Sequence, residues 1–271
     1  MDFIRKDRYG VDDLCRIMEI LRSEEGCPWD REQDHHSIRK NFLEETYEVL
    51  EAIDKEDVSL LQEELGDVLL QVVFHARMEE EKGSFSLDDV TDGICKKLIL
   101  RHPHVFGEVK ADTSDQVLKN WDAIKQQEKH QKSYTDTLTN VPQVLPALMR
   151  AEKVQHRASR AGMDFPDIYE AISAFDEVCA DFHDAVEDGD LKVIEAKIGE
   201  ILFGCVNISR IFGLDSEKSL TKSTEQFINR FSKVEKLADS ADPDWKQNNP
   251  EMLNQLWEQA EAEETDQKTV R

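Results

Sequence analysis

Five carboxylates lie close together along two neighbouring stretches of the chain. Glu44, Glu45 and Glu48 belong to NFLEETYEVLEAI, and Glu64 and Asp67 belong to LLQEELGDVLLQVVFHA. Residues three or four apart share one face of an α-helix, so we expect Glu44 and Glu48 to point the same way, with Glu45 beside them. Carboxylate oxygens are the ligands that Mg²⁺ and Mn²⁺ prefer, and Mg²⁺ takes substrate phosphates as further ligands. The pattern therefore predicts a divalent-metal site suited to nucleotide chemistry.

The second stretch is apolar almost all round its helical wheel. From residue 65 to residue 76, polar side chains interrupt it only at Asp67, Gln71 and His75, which form one narrow stripe with Glu64. A helix of this kind is normally buried. Buried carboxylates persist when they are protonated, paired or bound to a cation. On the first stretch, Glu45 likewise falls within the apolar arc, so both helices predict acidic groups on the core side.

Two other interpretations of these acids are open. The chain has 58 Asp and Glu among 271 residues, so an E-E-x-x-E match also fits a solvated helix face. A di-iron carboxylate bundle would need Glu-x-x-His on two helices. Glu32 and His35 have that spacing but precede the first helix, and the second helix has Glu-x-x-Asp. The polar stripe on an apolar helix favours the magnesium-type site.

Composition narrows the class of protein. With 39% hydrophobic residues the chain should be globular, and a net charge of −24 argues against a nucleic-acid partner. Five cysteines without a C-x-x-C pair indicate reduced core thiols. The start MDFIRKDRYG has no apolar signal segment, and no apolar run is long enough for a membrane span. We expect a cytoplasmic protein without a membrane partner.

The chain is predicted to be all-α, because Gly and Pro number only 11 and 7 and most segments have a 3.6-residue period. Ser86 with Asp89 resembles a capping box at the start of a helix. The segment SYTDTLTNVPQVLP is turn-prone and predicts a linker over residues 132–146. We expect helices near 11–24, 37–56, 57–82, 86–101, 114–131, 146–161, 167–187, 190–212, 216–239 and 249–264.

An internal repeat divides the chain into two copies. An offset of 133 residues carries Phe42 to Phe175, Gly66 to Gly199 and further matched positions through two helices. We therefore predict tandem helical-bundle domains at 1–131 and 147–271. At the five acidic positions of the first copy, the second copy has Glu177, Val178, Asp181, Lys197 and Glu200. The second site is thus predicted to be degenerate, with Lys197 supplying a cation where metal would bind.

At this point the motifs GCPWDREQDHHSIRKNFLEETYEVLEAI, EELGDVLLQVVFHA, KKLILRHPHVFG, NWDAIKQQEK and VPQVLPALMRAEKVQ together resemble the MazG family of nucleoside triphosphate pyrophosphohydrolases. The resemblance implies the all-α NTP pyrophosphatase fold and a homodimer in which helices of two subunits complete each bundle. It also implies Mg²⁺-dependent cleavage of NTPs and dNTPs to the monophosphate and pyrophosphate. The metal ligands it implies are Glu45, Glu48, Glu64 and Asp67.

The chain departs from the family pattern at two places. Gln33, Asp34 and His35 stand where Q-T-H is common. The resemblance also leads one to expect a competent second site, whereas the repeat comparison shows its ligands replaced. We therefore predict catalysis in the first copy.

Further residues are candidates for the reaction. Glu44 is a candidate general base or support for the metal ligands, or else a solvated flank residue. Lys97 and Arg101, one helical turn apart, would contact phosphates or lie on the surface; their counterparts are Gln226 and Arg230. Trp121 would stack on the base or pack in the core, and Lys125 would reach phosphate.

Two features of the loops complete the sequence-based expectations. His102 and His104 flank a proline, so we expect a turn there rather than a metal pair. The residues Cys27, Trp29, His35 and His36 would form a substrate lid or a structural loop.

A rival interpretation belongs to another functional class. The protein would then be a nucleotide-responsive regulatory module without turnover, in which the second domain contacts a partner or completes a dimer. Five carboxylates near phosphate exceed what binding alone requires, so the first copy favours an enzyme.

Overall fold

The computed structural model describes residues 3–111, 113–114, 116–117, 120–121, 124, 128, 133–241 and 250–269. Within these ranges all regular secondary structure is helical, which confirms the predicted all-α class. The chain divides into two compact units, Met1–Gln127 and Glu128–Arg271. No helix in the described ranges combines the length and apolar character that a membrane span needs.

The first unit is built round one long central helix. Its elements are α1 (Val11–Arg22), α2 (Pro28–Glu32), α3 (Arg39–Asp54), α4 (Val58–Glu80), α5 (Leu87–Arg101) and α6 (Pro103–Phe106). Helix α4 packs against α1, α3 and α5. Only residues 55–57 separate α3 from α4, and so short a connection makes the two helices antiparallel neighbours.

Local capping fixes where α4 and α5 begin. The Asp57 carboxylate accepts hydrogen bonds from the backbone N–H groups of Ser59 and Leu60, at 3.0 and 3.1 Å. Ser86 and Asp89 form the capping box predicted from the sequence. These side chains satisfy N–H groups that the first helical turn leaves without partners.

The core of the first unit lies along the C-terminal half of α4. Its buried members come from α1, α4 and the residue before α3: Met18, Ile38, Val73, Phe74 and Met78. The N-terminal half of α4 is different, since Leu65 is 52% exposed and Leu69 is 38% exposed. The expectation that the whole helix is buried is therefore wrong for this half. The core cluster that Met18 of α1 joins lies against the C-terminal half, with Val73, Phe74 and Met78.

The second unit contains α7 (Tyr134–Thr139), α8 (Ala147–Arg160), α9 (Ile168–Asp188), α10 (Leu191–Ile211), α11 (Ser216–Ala241) and α12 (Pro250–Thr269). Helices α9 and α10 form the main pair, and α8 packs against α7, α10 and α11. Helix α7 lies within the segment predicted as a linker. Like α2 and α6, it is too short to produce a periodic pattern in the sequence. The helix predicted over 114–131 lies partly outside the described residues.

The two helical pairs, α3–α4 and α9–α10, match in structure as they do in sequence. Ala52 and its counterpart Ala185 are 0% and 4% exposed, and Val73 and Val206 are 2% and 1% exposed. Asp57 and Asp190 each cap the second helix of the pair. The repeated sequence thus gives the same buried positions and the same turn twice.

Candidate active site

Three of the predicted ligands meet between α3 and α4. Glu45, Glu48 and Glu64 each place one carboxylate oxygen so that the three atoms lie within 4.8 Å of one another. Glu45 and Glu48 are one turn apart on α3, and Glu64 approaches from α4. The short turn between the helices brings these positions opposite each other. Three oxygens at this separation can share one cation.

The pKa values of two carboxyl groups in the cluster are raised, as expected for buried acids without a compensating cation. Glu64 is 9% exposed. Burial, reinforced by the charges of Glu48, Glu63 and Asp67, raises the pKa of Glu64. Burial, followed by a hydrogen bond with Glu48 and the charge of Asp67, raises the pKa of Glu45. A bound cation would reverse these shifts, because it stabilises the ionised carboxylates.

The donor set fits Mg²⁺ or Mn²⁺. All three members of the cluster are carboxylates, and hard oxygen ligands suit these ions, whereas zinc sites commonly use nitrogen and sulfur. Three carboxylates supply only part of an octahedral shell, which leaves positions for water or for phosphate oxygens.

Asp67 and Glu44 occupy different places relative to this cluster. Asp67, one turn along α4 from Glu64, contributes negative charge at both Glu45 and Glu64, but it is not part of the three-oxygen group. Glu44 is exposed, and one of its carboxylate oxygens lies 2.9 Å from Nζ of Lys40. Asp67 is therefore close enough to act on the cluster, whereas Glu44 is engaged outside it.

The corresponding place in the second unit holds a lysine. Nζ of Lys197 lies 2.8 Å from Asp181 and 3.0 Å from Glu200. Hydrogen bonds to these carboxylates raise the pKa of Lys197. The ammonium thus joins two of the three acidic side chains that remain, and it supplies a cation where the sequence comparison predicted one. Val178, the counterpart of Glu45, supplies no ligand.

The predicted basic and aromatic residues are brought together only in part. The guanidinium carbon of Arg101 lies 5.3 Å from the centroid of the Trp121 ring. Lys97 is exposed on α5, and Lys125 lies outside the described residues. The second unit repeats the contact, with Arg230 5.1 Å from the Trp257 centroid. Recurrence in the unit whose acidic cluster is degenerate favours a structural role for the arginine–tryptophan contact, and base stacking by Trp121 stays a prediction.

The first histidine of the RHPHVFG segment contacts the same tryptophan, and the second contacts the first. The ring of His102 meets Trp121 edge-on, with centroids 4.9 Å apart, and the rings of His102 and His104 are 5.6 Å apart. Among the described residues, neither histidine belongs to a group with metal-ligand spacing.

Sequence reasoning missed a second polar network at the other end of the α4 stripe. Nδ1 of His35 lies 2.7 Å from Nδ1 of His75, and Nε2 of His35 lies 2.6 Å from a carboxylate oxygen of Glu79. Hydrogen bonds from Lys82, His35 and Ser84 lower the pKa of Glu79 to about 2. Burial and the charge of His35 lower the pKa of His75.

This hydrogen-bond network connects the segment before α3 to α4. Ionised Glu79 can only accept, so His35 donates through Nε2, and one proton is shared between the two Nδ1 atoms. His75 and Glu79 are four residues apart on α4, so the sequence could predict that they share a helix face. Their partner His35 lies in a loop, where residue spacing does not predict which way a side chain points. Between this network and the acidic cluster, Gln71 is 7% exposed, and its Oε1 has no hydrogen-bond partner in the described part of the chain.

Comparisons with known proteins agree with this geometry. A sequence model of the MazG nucleotide pyrophosphohydrolase domain matches residues 33–106, a stretch that contains α3, α4 and α5. The nucleoside triphosphate pyrophosphohydrolase of Escherichia coli strain K12 is 40% identical over 261 residues, which cover 94% of this chain and 98% of that protein. The chain belongs to the MazG family.

Two further relatives of this MazG-family chain show how far the similarity extends. The nucleoside triphosphate pyrophosphohydrolase/pyrophosphatase MazG of Thermotoga maritima is 40% identical over 254 residues, covering 93% of this chain and 95% of that protein. YabN of Bacillus subtilis strain 168, an uncharacterized protein, is 40% identical over 257 residues, which are 93% of this chain and 51% of YabN. Similarity therefore spans both copies, while the MazG domain match falls on the acidic cluster of the first.

Proposed function

We propose that this MazG-family chain hydrolyses nucleoside triphosphates, both NTPs and dNTPs, to the monophosphate and pyrophosphate. The observation that carries the proposal is the cluster of Glu45, Glu48 and Glu64, which lies within the stretch matched by the MazG domain. Relatives of almost the same length carry the name nucleoside triphosphate pyrophosphohydrolase. We place the reaction in the first copy, since the second has Lys197 at the corresponding position.

The proposed cofactor is Mg²⁺, with Mn²⁺ as a possible substitute. Glu45, Glu48 and Glu64 would hold it, with Asp67 one turn away as a fourth ligand. When bound, the ion would supply charge neutralisation at the phosphates and a more acidic attacking water. The ion would stabilise the ionised carboxylates, since burial, followed by interactions with neighbouring carboxylates, raises the pKa values of Glu45 and Glu64.

Other residues of the first copy would bind and orient the nucleotide. Lys97, Arg101 and Lys125 are proposed to contact phosphates that the carboxylates would otherwise repel. Trp121 is proposed to stack on the base, in competition with its contact to Arg101. Glu44 is proposed as a general base or as support for the ligands. Its ion pair with Lys40 would have to open for a direct role.

We also propose that the protein is a homodimer. Large apolar side chains are exposed along α3, α4 and α5 in the single chain, at 41–54% of their surface for those named here: Tyr47, Leu50, Leu65, Ile94, Leu98, Ile99 and Leu100. So many large apolar side chains exposed on neighbouring helices indicate an interaction site. A second copy covering α4 would bury the exposed half of the helix beside the acidic cluster.

The proposed cellular role is cleansing or regulation of the nucleotide pool in the cytoplasm. The five cysteines are free thiols, which accords with a reducing compartment.

The test is pyrophosphate release by the pure protein with each NTP and dNTP, with Mg²⁺ and with EDTA. We expect release only with a divalent ion. Glu64→Gln should abolish release, whereas Glu200→Gln in the second copy, at the position that corresponds to Asp67, should not. If Glu200→Gln alone stops the reaction, the active site lies in the second copy. If the wild-type protein binds nucleotides but releases no pyrophosphate from any of them, the regulatory interpretation replaces the enzyme.

A further inference from the structure

The second unit contains a large cavity although its acidic cluster is degenerate. The cavity has a volume of about 890 Å³ and lies among α8, α9 and α10, with Leu138 of α7 and residues 163–165 at its margin. Small-molecule sites in proteins have volumes of roughly 300–1,000 Å³ and mainly apolar walls with a few polar groups. The aromatic rings of Phe175 and Phe203 and the side chain of Val178 supply such walls here.

One wall of the cavity includes a glycine, which has no side chain. Gly204 stands where the first copy has Gln71, and a Cβ atom at Gly204 would lie only 2.8 Å from Cδ2 of Phe175. The ring of Phe175 therefore lies directly against helix α10. The Phe175 ring takes the place that a side chain at Gly204 would need, so the two units differ in the packing of this wall as well as in their charges.

A buried acceptor lines this cavity. Gln155 on α8 is 7% exposed, and its Nε2 donates to the backbone oxygen of Phe203 at 2.8 Å. This bond fixes the amide orientation and leaves Oε1 without a hydrogen-bond partner in the described part of the chain. An unsatisfied buried acceptor costs roughly 1–3 kcal/mol. A ligand with an N–H or O–H group would remove that cost.

The charges around the cavity disfavour phosphate. At one end, Lys197 is held by Asp181 and Glu200. At the other end, Arg210 contacts Asp164 at 3.1 Å and Asn207 at 2.7 Å. These two cations face three carboxylates, so the surroundings keep a net negative charge. A neutral ligand fits this field better than an anion.

We propose that the second unit is a binding site for a neutral nucleoside or free base, held without metal in this cavity. The ring packs among Phe175, Val178 and Phe203, and a ring N–H or amino group donates to Oε1 of Gln155. The site follows from the cavity and the buried acceptor alone. The choice of a nucleoside among planar ligands rests on the proposed function of the first copy. A copy that retained the frame and lost the metal ligands can bind only the part of a nucleotide that needs no metal.

The experiment is calorimetric titration of the full chain in EDTA with adenosine, guanosine, cytidine, uridine and adenine, and with the nucleoside monophosphates for comparison. Glu64→Gln serves as the background, so that the first copy makes no metal-dependent contribution. We expect at least one neutral compound to bind with a Kd below about 1 mM, and its monophosphate to bind roughly tenfold more weakly. Gln155→Met should weaken binding roughly tenfold at unchanged helicity. Gln226→Met, an exposed matched control on α11, should leave it unchanged.

A second variant removes the space instead of the acceptor. Ala174→Phe should abolish binding of the same compound without changing the oligomeric state in sedimentation. The proposal is overturned if no neutral compound binds below about 1 mM. It is also overturned if Gln155→Met and Ala174→Phe both bind as well as their background. A change in oligomeric state by Ala174→Phe would assign the cavity to an interface between copies instead. Pyrophosphate release by the otherwise wild-type chain, measured separately, reports on the first copy alone.

Discussion

The two copies of the helical pair share a frame and differ in the charge at its centre. In the first, Glu45, Glu48 and Glu64 place three carboxylate oxygens within 4.8 Å of one another. In the second, the ammonium of Lys197 lies 2.8 Å from Asp181 and 3.0 Å from Glu200. The second copy therefore contains a cation of its own, whereas the first requires a cation from outside. Since both copies form the same antiparallel pair, the fold does not depend on the acidic cluster.

The largest effect should come from transferring the lysine to the first copy. We expect Glu64→Lys to reduce pyrophosphate release at least a hundredfold, roughly the scale of losing a metal ligand or its support. The new ammonium would pair with Glu48, as Lys197 pairs with Asp181, so the fold should remain. Pyrophosphate release and helical circular dichroism would be measured together.

The reciprocal variant Lys197→Glu is the matched control for this exchange. It should leave release by the first copy unchanged, because it alters only the second. Retained activity in Glu64→Lys, with Mg²⁺ still raising the melting temperature, would show that α4 does not supply a metal ligand at this position.

The next effect concerns the arginine–tryptophan contact that both copies contain. If the contact is structural, Trp121→Ala and Trp257→Ala should each lower the free energy of unfolding by about 2 kcal/mol, because each removes a half-buried ring and a cation–π partner. Chemical denaturation would measure both. A base-stacking role predicts in addition that only Trp121→Ala raises KM for the nucleotide. A stability loss in Trp257→Ala with none in Trp121→Ala would break the equivalence of the two contacts.

Periodicity predicted most of this fold because the long helices are strongly amphipathic. The antiparallel pairs, the Ser86–Asp89 capping box and the repeat offset all follow from local spacing. The acidic cluster was predictable for the same reason, since its members lie at helical spacing on two elements joined by a short turn. The role of Lys197 as a cation in the second copy was predicted by comparing the two copies, since no spacing rule indicates it.

Other features depend on contacts that spacing does not encode. The bond between His35 and His75 joins a loop to a helix 40 residues later. The N-terminal half of α4 was wrongly expected to be buried. An apolar sequence shows that a helix face is stabilised by burial, but it does not show which element covers that face. The cavity beside Gln155 is formed by three helices together, so it could not be predicted from any single segment of the sequence.

A third effect concerns stability in the absence of metal, which a Glu→Gln substitution should raise in the first copy but not in the second. The raised pKa of Glu64 favours the protonated form in the folded state. This contribution to stability is present below the usual value of 4.5 and is lost as pH rises through the higher folded-state value. In EDTA, Glu64→Gln should therefore be more stable than wild type at neutral pH, and the difference should shrink as pH falls towards 4.5.

The same change in the second copy, Glu200→Gln at the position that corresponds to Asp67, should not stabilise the protein at any of these pH values. Glu200 accepts a hydrogen bond from Lys197 at 3.0 Å, and the raised pKa of that lysine gives stability that is fully present at neutral pH. Melting temperatures across pH would be recorded for both variants. A loss of stability in Glu64→Gln at neutral pH would mean that the carboxylate is already compensated within the chain.

The smallest effect lies at the turn that joins each helical pair. Gly189 has φ 73°, and its counterpart Glu56 has φ 55°, so the first copy places a side chain in the left-handed region. Gly189→Ala should cost about 1 kcal/mol of unfolding free energy, because a Cβ atom is strained there. Glu56→Gly should gain about 0.5 kcal/mol, since relief of that strain exceeds the added freedom of the unfolded chain. Denaturant titration would resolve both changes. A loss in Gly189→Ala together with a gain in Glu56→Gly would show that both turns require the same left-handed backbone. A loss in Glu56→Gly would instead mean that its side chain stabilises the turn in a way that the second copy lacks.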